Sequence, residues 1–142
     1  MADDVNAILA DFERLKQACQ DMASKKIYVG IIGGGEAAEI AHIHEYGDGR
    51  MPERSFLRAS FDADQAQLCS IVSGQVNQVL SGQKSADAAA NAIGAQAAQL
   101  VQSFIDANRV KPQSDFSKKT QHTTLYETGT HIRDRIAYEV EG

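Results

Sequence analysis

From Val5 onward the apolar residues Val5, Ile8, Leu9, Phe12, Leu15, Cys19 and Met22 recur at spacings of three and four, with polar residues between them. That period predicts an amphipathic helix over Asp4 to Ala23. "KKIYVGIIG" follows, short, rich in Ile, Val and Tyr and bounded by Lys and Gly, and reads as a strand. "EAAEIAHIHEYG" then offers helical faces through Ala38, Ala41 and His44 or through Ile40 and Ile43, with Gly47 as its stop. "DGRMPERS" is a turn-rich loop, because Pro52 pushes Met51 away from helix. One long helix is expected to run through "SFLRASFDADQAQLCSIVSGQVNQVLSG" to Gly82, with Phe56, Leu57, Phe61, Leu68, Ile71, Val72, Val76 and Val79 apolar. Ser85 caps a second, Ala86 to Asn108, with Ala89, Ile93, Ala97, Leu100 and Phe104 repeating. These two helices are expected to form an antiparallel pair.

"RVKPQSDFSKKTQH" has little periodicity and predicts a mobile loop over 108–122, while "THIRD" suits a short helical turn. "RIAYEVEG" alternates Ile136, Tyr138 and Val140 against Arg135, Ala137 and Glu139, the pattern of a strand with one buried face. Two strands far apart in the chain must then share a small antiparallel or mixed sheet with several helices packed on it. The expected fold is α+β, a single domain over residues 1–142.

Composition narrows the functional classes. The 142 residues are 43% hydrophobic and 23% charged with a net charge of -5, which disfavours tight wrapping of nucleic acid. Cys19 and Cys69 sit within helical apolar patterns and are expected to be reduced core residues. The acidic start "MADDVNAILADF" lacks the basic lead of a secretory signal, no apolar run reaches membrane-spanning length, and synthesis and retention in a cytoplasm are expected.

Gly33, Gly35 and Ala38 satisfy the spacing of a dinucleotide-binding turn. Such a site also needs a parallel sheet, a helix of ordinary length and an acid about twenty residues on, none of which the pattern supplies. Glu36 would moreover repel a pyrophosphate at the helix N-terminus. A tight turn in which glycine permits positive φ is expected instead. His42, His44 and Glu45 suggest a metal only superficially, because residues two apart on a helix diverge, and neither a metal nor a cofactor is expected. The basic loop residues Arg109, Lys111, Lys118 and Lys119 read as a solvated face.

Between Gln65 and Ile105, 41 residues, only Lys84 and Asp87 are charged, in a chain with 14 basic and 19 acidic residues. Solvated helices usually carry Lys and Glu, and protein interfaces are depleted of them. Two readings stand: neutral faces packed within one domain, or faces buried by another subunit.

The stretch "AEIAHIHEYGDGRMPERSFLRASFD" resembles the signature of bacteriophage tail-completion and virion-morphogenesis proteins. It carries Ile43, His44, Glu45, Tyr46 and Gly47, then Pro52, Arg54, Phe56, Leu57 and Arg58. The C-terminal "SDFSKKTQHTTLYETGTHIRDRIAYEVEG", with Leu125, Thr128-Gly129 and the strand Ile136, Tyr138, Val140, is similar to the same group, and the two matches in order cover about half of the chain. Ser55 stands where a second proline is common, which implies a less rigid loop, and Tyr126-Glu127 replaces an aliphatic-acidic pair.

The resemblance implies a structural, non-enzymatic subunit that assembles as a ring, with a hexamer the expected size, at the head-proximal end of a phage tail or at the neck. Implied partners are copies of itself, the tail tube and the head-tail connector, with transient passage of DNA; the net negative charge would let DNA pass a ring without sticking where acidic residues face inward. The expected contact residues are Tyr46, Arg50, Pro52, Glu53, Arg54, Phe56 and Arg58 in the loop, and Gln75, Gln78, Gln99 and Gln102 on the charge-poor helices. Two rivals remain: a nucleotide-binding module or enzyme using the Gly33 to Ala38 turn, and a prophage-encoded adaptor without a virion role.

Overall fold

A computed structural model describes residues 2–49, 53–107, 109–110 and 132–142. The chain forms α1 (Ala2–Ala23), β1 (Lys26–Ile31), α2 (Glu36–Tyr46), α3 (Leu57–Ala63), α4 (Gln65–Leu80) and α5 (Ala86–Asp106), then a 3-10 turn (Ile132–Arg135) and β2 (Ile136–Glu141). The α+β class expected from the pattern is the class found: five helices and a two-stranded antiparallel sheet.

β1 and β2 pair from Lys26 opposite Glu141 to Ile31 opposite Ile136. Ile136, Tyr138 and Val140 turn inward on β2 while Ala137 and Glu139 face solvent, the phase that the alternation predicts. Against this sheet lies α5. It buries Ala89, Ala90, Ile93, Gly94, Ala97, Ala98, Leu100, Val101, Phe104 and Ile105, more than any other described helix. Its small residues let neighbours approach closely. Gly94 is the extreme case: a Cβ there would stand 2.4 Å from Tyr138 Cδ2, so only glycine admits the tyrosine ring. Ser85 caps α5 as expected, its hydroxyl accepting from Ala88 N–H at 3.1 Å.

The shared core joins Ala37 and Ala41 of α2, Phe56, the C-terminal half of α5, Val110, Ile132 and Ile136. Arg133 closes one end. Its Nε and Nη2 donate to the two carboxylate oxygens of Asp106 at 3.0 and 2.8 Å, which fixes the 3-10 turn to the end of α5.

Two expectations need correction. The long helix from Ser55 is two helices, broken at Asp64, whose φ of -112° and ψ of 30° leave helical geometry. Asp is a weak former inside a helix, and here its carboxylate leaves the helix axis to take the Arg109 guanidinium at 3.1 and 2.9 Å. Arg109 also lies 4.7 Å from the Phe104 ring centroid, which ties the break to the end of α5. Cys19 and Cys69 are both free and exposed rather than in the core. Helix α1, although amphipathic as expected, does not bury its apolar face: Val5, Ile8, Leu9 and Phe12 are 56 to 66% exposed. The loop expected at 108–122 lies outside the described residues apart from Arg109 and the buried Val110.

Candidate interaction site

The segment joining α2 to α3 is organised by one carboxylate. α2 stops at Tyr46 because Gly47 takes φ 74°, a left-handed value that glycine adopts without strain, and its N–H caps back to Ile43 O at 2.7 Å. The chain then returns, and Arg54 N–H donates to His44 O at 2.7 Å. This brings the start of α3 against Glu45. A helix N-terminus presents N–H groups without intrahelical partners and a partial positive charge. Glu45 answers both. Its Oε2 accepts from Phe56 N–H at 3.0 Å and Leu57 N–H at 2.9 Å, and its Oε1 accepts from Arg58 N–H at 2.9 Å. Oε1 also receives the Ser55 hydroxyl at 2.7 Å and Arg58 Nε at 2.9 Å.

Burial alone would push the Glu45 pKa up, but the hydrogen bonds from Arg58, Ser55, Leu57 and Phe56 outweigh it and hold the group below its ordinary value. The side chain is therefore a buried anion with its lone pairs filled. Ser55 contributes twice, since its hydroxyl also accepts from Ala59 N–H at 3.1 Å. A proline has neither group, so the serine at this position ties the helix start down from its side chain.

Behind the clamp lie His44 and Arg54, both buried, with Arg54 only 1% exposed. Burial, and then the Arg54 charge, lower the His44 pKa, so the imidazole is neutral at pH 7. In front of the clamp the side chains face outward. His42 and Tyr46 pack with ring centroids 4.9 Å apart and their planes tilted by 44°, and Arg58 Cζ sits 4.4 Å from the Tyr46 centroid. Arg58 Nη2 is anchored to Glu45 O at 2.6 Å and to Glu53 Oε1 at 2.9 Å. Two clefts meet at Arg58. One of about 360 Å³ is lined by Ile31, Ala38, Ala41, Tyr46, Leu57 and Phe61. The other, about 410 Å³, is lined by Glu53, Ser55, Ala59, Asp62 and Arg109. An exposed Tyr beside a hydrogen-bonded Arg, between an apolar and a charged depression, can seat an apolar anchor and a polar group side by side. Tyr and Arg are also the residue types that carry most interface energy.

The expected contact residues divide. Tyr46, Glu53 and Arg58 lie together at this surface. Arg54 and Phe56 are buried, the latter at 0% exposure, so both support the loop from within and offer no surface to a neighbour. Arg50 and Pro52 lie outside the described residues. Gln75 and Gln78 are half-buried on α4, where Gln75 Oε1 accepts from Lys84 Nζ at 2.6 Å. Gln99 is exposed in a separate groove with Asp64, Gln67 and Gln96, and Gln102 is half-buried, donating to Arg133 O at 3.2 Å. The charge-poor stretch divides as well. On α5 burial inside this chain accounts for one uncharged face, while Ala88, Asn91, Ala95, Gln96, Gln99 and Ser103 are exposed and still uncharged, and α4 fully buries only Val79.

The other tempting motifs resolve into backbone geometry. Gly33, Gly34 and Gly35 have φ of 93°, 72° and 84°, so the triple glycine is a left-handed turn into α2. Among the described residues β1 pairs only with antiparallel β2, which leaves no parallel strand for a dinucleotide-binding unit. His42 is exposed and His44 buried, so the two diverge as their spacing predicts. No cluster of three or more His, Cys, Asp or Glu able to hold a metal is present among the described residues, and no described helix is long and apolar enough to cross a membrane.

Residue patterns did not reveal the part played by Glu45. The signal available was an acid in the last turn of a helix, a glycine stop, and a loop returning to a Ser-led helix start. Compared with family models, with curated proteins and with solved structures, the chain has no match.

Proposed function

We propose that this chain is a structural subunit of a bacteriophage virion, a tail-completion or neck protein that assembles as a ring, hexameric by resemblance, and joins tail to head. The role is non-enzymatic and its location is the particle. The observation that carries the reading is that described residues of the stretch bearing the resemblance, Tyr46 and Ser55 to Arg58, are gathered around Glu45 into one surface ending in Tyr46 and Arg58. A loop pinned by a buried carboxylate suits a contact that must form in one register against tail tube, connector or sister copy. Charged groups at its rim, Glu53 and Arg58, would set that register. The net negative charge is compatible with DNA passing such a ring without adhering, if acidic residues line the lumen.

The reading is tested by incubating the purified chain with isolated tail tubes and with heads bearing their connector, then sedimenting each. Co-sedimentation with either is expected, with loss in Tyr46→Ala. A chain that stays in the supernatant with both and is missing from purified particles would overturn the assignment and favour the prophage adaptor.

A further inference from the structure

The large apolar residues of α1, of which the fold leaves all but Met22 exposed, have a period of their own. Val5, Ile8, Phe12, Leu15, Cys19 and Met22 are separated by three, four, three, four and three residues, the alternation of a heptad repeat with Val5, Phe12 and Cys19 at a and Ile8, Leu15 and Met22 at d. Residues 3–17 of α1 are all exposed, and only Ala18 and Met22 become half-buried near its end. The side that touches the rest of the chain is a different one: Arg14 Nη1 donates to Leu80 O at 2.9 Å. The seam from Val5 to Cys19 therefore projects free, with Phe12 at 66% exposure. Most helical stability in a folded chain comes from packing of an amphipathic face, and within one copy this seam packs on nothing.

We propose that α1 pairs in parallel with α1 of a second copy of this chain. The choice of occupant follows from complementarity. An a/d seam fills itself, since in parallel register a meets a and d meets d in the identical helix. The flanking charges agree. Asp11 occupies a g position and Lys16 the e position five residues on, the two positions that face each other between parallel strands, so each pairing places Asp11 opposite Lys16 of the other copy. In antiparallel pairing g faces g and e faces e, which sets Asp11 opposite Ala18 and Lys16 beside Leu9, so the Asp11 and Lys16 charges lose each other. Parallel packing is the arrangement in which the charges attract. The inference deepens the self-association in the proposed function and rests on it only for the premise that copies of the chain meet.

Cys19 supplies the test, since it is exposed at an a position where two parallel copies bring their thiols together. In an antiparallel pair the two would lie on the order of 16 Å apart along the axis, beyond disulfide reach. The full chain carrying Cys69→Ser is treated with diamide, which accepts the two hydrogens as the thiols join, and is run on a non-reducing gel. A crosslinked dimer is expected at protein concentrations where the Cys19→Ser, Cys69→Ser control stays single. Sedimentation of Phe12→Glu and Leu15→Glu is run beside it. Both residues are exposed, so the variants keep the wild-type near-native circular dichroism of the body, and the concentration for half-assembly is expected to rise more than about a hundredfold. If wild type assembles but neither substitution weakens it and no crosslink forms, the α1 pairing is overturned while self-association stands. If wild type is monomeric throughout, both fall.

Discussion

Glu45→Gln replaces one carboxylate oxygen by an amide NH2 in a site where five donors converge, so the variant keeps shape and volume and changes only charge and polarity. Whichever way the amide is turned, at least the two bonds at Oε2 or the three at Oε1 are lost, and a donor is set against donors. Hydrogen bonds to a charged group contribute roughly 1.5–3 kcal/mol each, and relief from burying an anion returns part of the loss. A net cost of about 2–4 kcal/mol follows, a large share of the roughly 5–15 kcal/mol that holds a domain folded. In a chain of this size that lowers Tm by roughly 5–15 °C. Thermal and urea unfolding of wild type and variant, at one protein concentration so that association is held constant, measures it. A change below about 0.5 kcal/mol, the usual size for an unremarkable surface site, would refute the account of the clamp.

Acid should lower the stability of the protein in two pH ranges. His44 is kept neutral by burial while the unfolded imidazole protonates near its ordinary value of 6.5, so the unfolded state binds more protons and stability falls as pH drops through that value. Glu45 lies below its ordinary 4.5, so its stabilisation is present above that value and is lost as pH falls further. Glu45→Gln should flatten the fall in the lower range in urea titrations from pH 7 to 3. Gly94→Ala, normally worth about 1 kcal/mol of gain inside a helix, should instead cost about 3 kcal/mol because the Tyr138 ring occupies the space; a stabilised variant would show that reasoning wrong. Thermal-shift titration with NAD or ATP should leave Tm unchanged, and a saturable rise would return the glycine turn to consideration.

How much of this was legible in the chain depends on how local the cause was. The periods of α1, α5 and β2 and the Ser85 cap are set by neighbours a few residues apart, and pattern alone located them, whereas α2 was placed but its buried face, Ala37, Ala41, His44 and Glu45, was neither of the two that its pattern offered. The break at Asp64 depends on Arg109, 45 residues away, which no local pattern carries. Likewise, a period of three and four tells that α1 and α5 each have an apolar face but not what covers it. α5 packs on the sheet, and α1 meets little, which is why Cys19 reads as core in the sequence and is exposed in the fold. Glu45 was in view as a member of the motif, yet its role needs the start of α3 to return to the end of α2, a tertiary event.

The central claim is that the Glu45-held surface is where this chain joins its neighbours in a virion. Electron micrographs of particles assembled without the chain, then supplied with purified wild type or Tyr46→Ala, test it directly. Tyr46 is exposed, so the variant should remain within about 1 kcal/mol of wild-type stability. Separate heads and tails that wild type converts to joined particles, and folded Tyr46→Ala does not, is the predicted result. Joined particles forming without the chain, or equally well with Tyr46→Ala, would contradict it.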